Sequence, residues 1–427
     1  MTYPGRGQQS YRVTRIGHLD IPGGGQVVVS DGHAFVGHMK PPDGTSIIDV
    51  SDPKNPRLAS QIRLETNASH THKVRVVDDL MYTNVEQDQR HFKRRAERIA
   101  EAEAAIAAEG RPATDAEVAA RLGVAVTDMP ALRQALKEGY EEGGFKVYDL
   151  ADKANPKLVA YQKTHGFGVH RFDADERYAY ISTEMDGYIG NILVVYDMAE
   201  PSRPTELSRW WMPGQHLAGG EEPTWKGYTH RLHHAMRVGD ELWAAVWHAG
   251  IRVLDARDIT DLKVLGEYNY HPPIPEPTHT VMPFEQPIGG RRYAAAIDEE
   301  HQHRHGQLHG FLWIFDVTDL ADMKPVSIFD VSEMDSPWSR TPGARFGAHQ
   351  YHERLDDTLV YATWFAGGLR IVDVSNPEEP EEVGHYIPDP VGGMKAPASN
   401  DVYVDDQGLI YLLDRDRGLD ILTFDRP

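Results

Sequence analysis

Short apolar runs of alternating character recur along the whole chain, as in HKVRVVDDLMYTNV (72–85), HRFDADERYAYIST (170–183), HAMRVGDELWAAVW (234–247) and NDVYVDDQGLIYLL (400–413). A period of two marks half-buried strands, and the DD, DE and GD steps between the halves predict tight hairpins. Each pair leads into a second, more regular phrase: TSIIDVSDPKNPRLAS (45–60), FKVYDLADKANPKLVA (145–160), ILVVYDMAEPSRPTEL (192–207), IRVLDARDITDLKVLG (251–266), LWIFDVTDLADMKPVS (312–327) and LRIVDVSNPEEPEEVG (369–384). Every copy reads as an apolar strand, an Asp-led turn rich in Pro and Asn, and another short strand. Pro fixes φ at such a turn and Asp caps the local backbone, so these acids are read as structural.

The unit is therefore four antiparallel strands. Repeated about seven times, it predicts an all-β fold, a seven-bladed β-propeller, in one domain spanning 1–427. A truncated copy, LDILTFDRP (419–427), leaves the last blade one strand short, and the strand-like segment 11–21 is expected to supply that strand and close the ring. Closure also hides the edges that an open sheet would expose. The phrases IIDVSDP (47–53), WIFDVTD (313–319) and LRIVDVSNP (369–377) resemble the LVIVD-repeat family of propeller proteins. That resemblance implies the fold and is silent on the reaction.

Regularity breaks at 88–143, inside the second blade. QRHFKRRAERIAEAEAAIAAEG (89–110) has helical composition, TDAEVAARLG (114–123) has Thr114 as N-cap and Gly123 as stop, and a third helix is expected within 127–144. This helical insertion is read as a lid or an oligomer contact.

Charge and composition narrow the classes. A net charge of −21 disfavours a nucleic-acid partner, and the absence of cysteine removes disulfides, thiolate ligands and cysteine nucleophiles together. No apolar run has the length of a membrane span, and the N-terminus lacks a signal-peptide core, so a cytoplasmic protein without membrane contact is expected. Neither a phosphate-binding glycine loop nor a G-x-S-x-G elbow is present.

The candidate chemistry lies in histidine. Aligned without gaps, the innermost strands begin at His72, His170 and His234, with His234 preferred over His233 because HAMRVGDEL matches HKVRVVDDL. His279 and His349 take the same place in the next two blades, Asn400 in the last and Gly24 in the first. Fourteen residues separate His72 from Glu86, His170 from Glu184, His234 from His248 and Asn400 from Asp414. The end of one strand faces the start of its hairpin partner, so each histidine is expected to face a polar residue. In the fifth blade Asp298, Glu299 or Glu300 fills that role, and Glu299 is the preferred choice. The sixth blade departs from the pattern at Trp364 and Phe365.

Imidazole nitrogens bind first-row metals and need an acceptor on the second nitrogen, which a carboxylate supplies. The metal ligands expected are four of His72, His170, His234, His279 and His349. Glu86, Glu184, His248 and Glu299 are expected to orient them and to take part in catalysis. The arrangement is similar in architecture alone to carotenoid cleavage oxygenases, and no residue is carried over from them. One transition metal ion is expected, Fe(II) or Cu first, with Mn or Zn also compatible. The expected activity is an oxidoreductase acting on a small organic substrate. A metal-dependent lyase, isomerase or hydrolase and a non-catalytic interaction propeller are the alternatives. His70, His230 and His233 are assigned to an outer rim, HQHRH (301–305) to a solvated loop or second site, and Trp210–Trp211 and Trp225–Tyr228 to loop packing.

Overall fold

A computed structural model describes residues 9–225, 229–301 and 306–427. The fold is all-β in its bulk. In the first unit, Gly24–Ser30, His33–His38, Asp43–Asp49 and Arg57–Arg63 pair in sequence order as an antiparallel sheet. The same order recurs along the chain, each time opening on an innermost strand: Val74–Val77, His165–Ala174, His230–Val238, Thr278–Pro283 and Ala348–Tyr351. The last unit has Ser399–Val404, Ile410–Asp414 and Arg417–Phe424, and its outer strand is Val13–Pro22 from the other end of the chain, with Val13 opposite Phe424 and Leu19 opposite Leu419.

Each innermost strand touches the next, and Ser399–Val404 returns to Gly24–Ser30, so the innermost strands close on themselves. Alternation on each strand buries one face against the following sheet. Ile297, Leu312 and Ile314 pack with Ala348, Val360 and Ala362 in this way, and Val27, Val36 and Ile48 pack with Tyr411, Leu413 and Ile421. The repeated aspartates stay at home. Asp49, Asp149, Asp197, Asp255, Asp316 and Asp373 each accept the backbone N–H two residues onward at 2.8–3.0 Å. Their role is the turn.

Between Leu80–Gln87 and Gly144–Asp149 lie four helices: α1 (Arg90–Glu97), α2 (Ile99–Ala107), α3 (Asp115–Leu122) and α4 (Met129–Glu138). The stretch read as one helix breaks at Arg98, where the backbone leaves helical geometry at φ −91° and ψ 0°. Ile99, Ala102 and Ile106 can then meet Val118, Leu122, Met129 and Leu132 in a small core of their own. Thr114 caps α3 through a reciprocal pairing with Glu117, and Gly123 ends it at φ 66°. No helix among the described residues is long and apolar enough to cross a membrane.

One irregularity positions the site. In unit after unit the first hairpin slips register near the start of the innermost strand, for example between Gly24 and Gln26, Val169 and Arg171, Thr278 and Thr280, Ala348 and Gln350, and Ser399 and Asp401. A β-bulge leaves one residue unpaired and re-aims its side chain. The bulged residues are Gly25, His170, His279, His349 and Asn400. In the fourth unit the slip lies between His230 and His234.

Candidate metal centre

The bulges gather histidines side by side. Ring centroids are 5.2 Å apart for His72 and His170, 4.9 Å for His170 and His233, 4.2 Å for His233 and His279, and 4.4 Å for His279 and His349. The fourth unit contributes His233 rather than His234, which corrects the register expected from the gapless alignment. Its bulge shifts the inward position by one residue, just as Gly25 replaces Gly24 in the first unit. A Cβ at Gly25 would lie 2.6 Å from the carbonyl oxygen of His72, so no side chain fits there.

Hydrogen bonds fix the tautomers. His233 Nδ1 lies 2.6 Å from the carbonyl of His279, and His349 Nδ1 contacts the carbonyl of Asn400. A carbonyl only accepts, so both Nδ1 atoms carry the proton. His170 Nδ1 donates to Glu86 Oε2 at 3.0 Å. His279 Nδ1 donates to Gln350 Oε1 at 3.0 Å, and that amide is oriented because its Nε2 donates to the Glu353 carboxylate at 2.6 Å. All four rings therefore carry no proton on Nε2; Arg90 approaches that of His170 at 3.3 Å and Arg171 that of His279 at 3.5 Å. His170 Nε2 and His233 Nε2 face each other at 3.1 Å.

His72 differs. Its Nδ1 lies 3.1 Å from Asn84 Nδ2, and Asn84 is oriented at both ends: Oδ1 accepts from Lys73 N–H and Nδ2 donates to the Val169 carbonyl, each at 2.8 Å. His72 Nδ1 is thus an acceptor, and the neutral ring carries its proton on Nε2. Burial is the first reason that His72, His170, His233, His279 and His349 all titrate far below the usual histidine range, with nearby cations adding to it. They are neutral, the form that ligates metals.

Carboxylates flank the cluster on two sides. His70, His72 and Glu86 form one group, and His233, His279 and Glu299 another, each with potential ligand atoms within 4.8 Å of one another. Glu86 Oε2 also meets His70 Nε2 at 3.1 Å, and Glu86 Oε1 pairs with Arg90 of α1 at 2.7 Å. His70 titrates above its usual range: burial opposes this, but Asp88 and Glu86 outweigh it. Glu299 pairs with Arg345 at 3.0 Å and lies 3.9 Å from His349 Nε2. Its neighbours are occupied elsewhere. Asp298 accepts from Tyr270 and Trp313, and Glu300 from His309 and the Phe346 N–H.

Two expected partners do not reach the histidines. Glu184 accepts the Phe167 N–H at 3.1 Å and pairs with Arg94 of α1. His248 lies against His271, ring to ring at 5.4 Å. The spacing that tied it to His234 passes, with the register, to His233 and Trp247, whose rings are 5.2 Å apart. His234 sits one layer deeper, buried, with Nδ1 3.5 Å from Glu353 Oε1. His230 stacks on Trp225 at 4.8 Å. Tyr228 and residues 302–305 of the HQHRH run lie outside the described residues, and His301 Nε2 is 3.5 Å from Glu299.

Sequence reasoning missed the arginines. Arg90 Nη2 approaches His170 Nε2 at 3.3 Å, and Arg415 donates to Asn400 Oδ1 at 2.9 Å. No spacing rule connects a helix in an insertion to a strand end eighty residues away, although RHFKRR in α1 is the densest basic run in an acidic chain.

Comparison with known proteins agrees with this architecture. The family model described as LVIVD repeat matches residues 24–63 and 360–387. No curated protein matches the chain. Among solved structures, the C-terminal WD40 domain of Sif2 aligns over 97% of this chain and 98% of its own at 8% identity, with a TM-score of 0.54. A chain of the mitotic checkpoint complex aligns over 99% and 97% at 9% identity, with a TM-score of 0.55. A periplasmic gluconolactonase of Pseudomonas aeruginosa aligns over 89% and 88% at 10% identity, with a TM-score of 0.54. At such identities the likeness concerns the fold alone. The chain is a β-propeller that carries LVIVD repeats.

Proposed function

We propose that this chain is a seven-bladed, single-domain metalloenzyme with a helical insertion in its second blade, and that it holds one transition metal ion at the mouth of the propeller. The ligands are the Nε2 atoms of His170, His233, His279 and His349, and His72 is the member of the row that does not ligate. One observation carries this reading: four neighbouring imidazoles each commit Nδ1–H to a fixed acceptor and leave Nε2 unprotonated, with an arginine N–H beside it at His170 and at His279. Two bare nitrogens 3.1 Å apart repel each other. The spacing of this one pair matches the ~3.0 Å expected for two nitrogens each about 2.1 Å from one ion at a right angle.

Each residue has a task. Glu86 and the carbonyls of His279 and Asn400 hold ring orientation and tautomer. Glu299, ionised beside Arg345, supplies a base or a further oxygen ligand next to His233 and His279. Arg90, carried by α1, covers His170 and shields the cluster from water, so the insertion acts as a lid. Nitrogen ligation with carboxylates held back favours Fe(II) or Cu, and the bound ion supplies redox chemistry toward a small organic substrate. Glu299 also supports a second reading, in which the histidines would hold a Lewis-acid metal that would supply carbonyl polarisation, and the Glu299 carboxylate would move the proton.

Elemental mass spectrometry of the untagged protein tests the assignment. The expected result is stoichiometric Fe or Cu in the wild type and in His72→Ala, lost in His170→Ala/His233→Ala. Stoichiometric Zn or Mn selects the Lewis-acid reading. Failure to bind metal after reconstitution sinks both, and loss of metal in His72→Ala overturns the choice of ligands.

A further inference from the structure

Beside the histidine cluster lies a cavity of about 690 Å³, walled by α1 on one side and by Thr229, Arg231, Trp247, His248, Pro275 and Pro277 on the other. It reaches the cluster at two points. Arg90 lines it and touches His170, and Trp247 lines it with its ring 5.2 Å from that of His233.

Arg231 is the unusual group. Its guanidinium lies over the Trp247 ring at 4.2 Å, and among the described residues it has no hydrogen bond and no carboxylate in ion-pair range. The other arginines that line the cavity are engaged: Arg90 and Arg94 of α1 with Glu86 and Glu184, and Arg98 just beyond it with Glu101. An inward-facing guanidinium is normally paired, because desolvating an uncompensated charge is costly. Burial, reinforced by Arg90 and Arg94, lowers Arg231 to about 9. The surroundings thus favour an arriving anion. Stacking on Trp247 holds the planar fork in one orientation, which suits bidentate contact with a carboxylate. Trp247, Pro275, Pro277 and Ile189 give the cavity apolar walls for a ligand body.

We propose that the substrate is a small organic carboxylate whose anionic end docks on Arg231 and whose body lies along Trp247 toward the histidines. The inference rests on the metal reading only for the fate of the bound molecule, because the anion contact is made by Arg231.

Benzoate is the probe, with benzamide as its neutral isostere and phenyl phosphate as the competing oxyanion. Binding is measured by titration calorimetry on the full chain, with and without chelator. The expected result is benzoate binding that survives chelation, no binding of benzamide, and a loss of about tenfold or more in Arg231→Gln. Arg231→Lys, which keeps the charge without the fork, falls between the two and carries the test should the Gln variant not fold. Unchanged benzoate affinity in the variants overturns the inference. So does binding that requires metal and ignores Arg231, although the metal reading then stands. Much tighter, Arg231-dependent binding of phenyl phosphate overturns the carboxylate assignment. Arg231-dependent binding of benzoate to a protein that never loads metal upholds the anion site and removes the metal reading.

Discussion

Two polar layers lie one residue apart on the same innermost strands, and they solve burial in opposite ways. The deeper layer takes the residues after the bulges: Gln26, Lys73, Arg171, His234, Thr280, Gln350 and Asp401, all buried. Its centre is Glu353, which receives Arg75 and Arg171 as ion pairs, Gln350 Nε2 at 2.6 Å and Gln26 Nε2 at 3.4 Å. Both arginines meet a carboxylate, Lys73 Nζ donates to the Gly25 carbonyl at 3.0 Å, and His234 leaves both ring nitrogens without a hydrogen bond. The histidine layer instead turns bare nitrogens toward each other. A network gathered round one carboxylate carries its own counter-charges, whereas unprotonated nitrogens held together at the end of a rigid scaffold suit the cation proposed above. Both layers are polar and buried, so burial alone does not distinguish structure from function. The balance of donors and acceptors does.

The sharpest way to break this comparison is to remove the centre of each layer. Glu353→Ala strands the buried Arg171 guanidinium, leaves Arg75 with Asp173 alone, and is expected to cost about 3–5 kcal/mol in urea denaturation. His233→Ala, measured in chelator, is expected to cost about 1–2 kcal/mol, the ordinary price of a buried truncation. Equal losses would show that the two layers are one structural network. Acid adds a signature. Burial alone would raise Glu353, but Arg75, Arg171 and His234 hold it well below the usual carboxylate range. A depressed carboxylate contributes stability that is present above its unfolded value of about 4 and lost as pH falls through its native value. Glu353→Gln should therefore flatten the acid limb of the stability profile.

Metal removal sharpens the same contrast at a somewhat smaller scale. A ligand that binds only the folded chain stabilises it by about 4 kcal/mol when its free concentration is about a thousandfold above Kd. Chelation should lower the melting temperature of the wild type and leave His170→Ala/His233→Ala unmoved. A chelator shift that survives in that double variant would place the metal away from these rings.

The strands, the Asp-led turns and the row of histidines were legible because each obeys a short period: two residues along a strand, and one repeat from sheet to sheet. The choice between His233 and His234 was not. Both lie on one strand with similar flanks, and a bulge slips the register between them without any change in composition. The same slip moved the fourteen-residue spacing from His248 to Trp247. Glu184 has the right position and the wrong partner, because Arg94 from α1 claims it. Glu353 stands beyond the end of its strand, in a hairpin loop whose sequence, HERLDD, resembles any exposed turn. Contacts made across the channel between distant units carry no local signal, and the arginines and Glu353 all belong to that class.

The smallest expected effect concerns the proposed lid. Arg90 pairs with Glu86 four residues earlier and sits 3.3 Å from Nε2 of His170. It therefore does two opposed things: it neutralises a buried carboxylate, and it places positive charge where the proposed metal ion would bind. Arg90→Ala removes both. Loss of the pairing is expected to cost about 1–3 kcal/mol of stability, read as faster amide exchange in α1 and at Glu86. Removing the competing cation is expected to speed metal loading a few-fold, followed by stopped-flow with the apo protein. Slower loading would mean that Arg90 helps to build the mouth instead of guarding it. A Lys at this position separates the two roles: it keeps a charge for Glu86, but its single ammonium cannot span Glu86 and His170 as the guanidinium does.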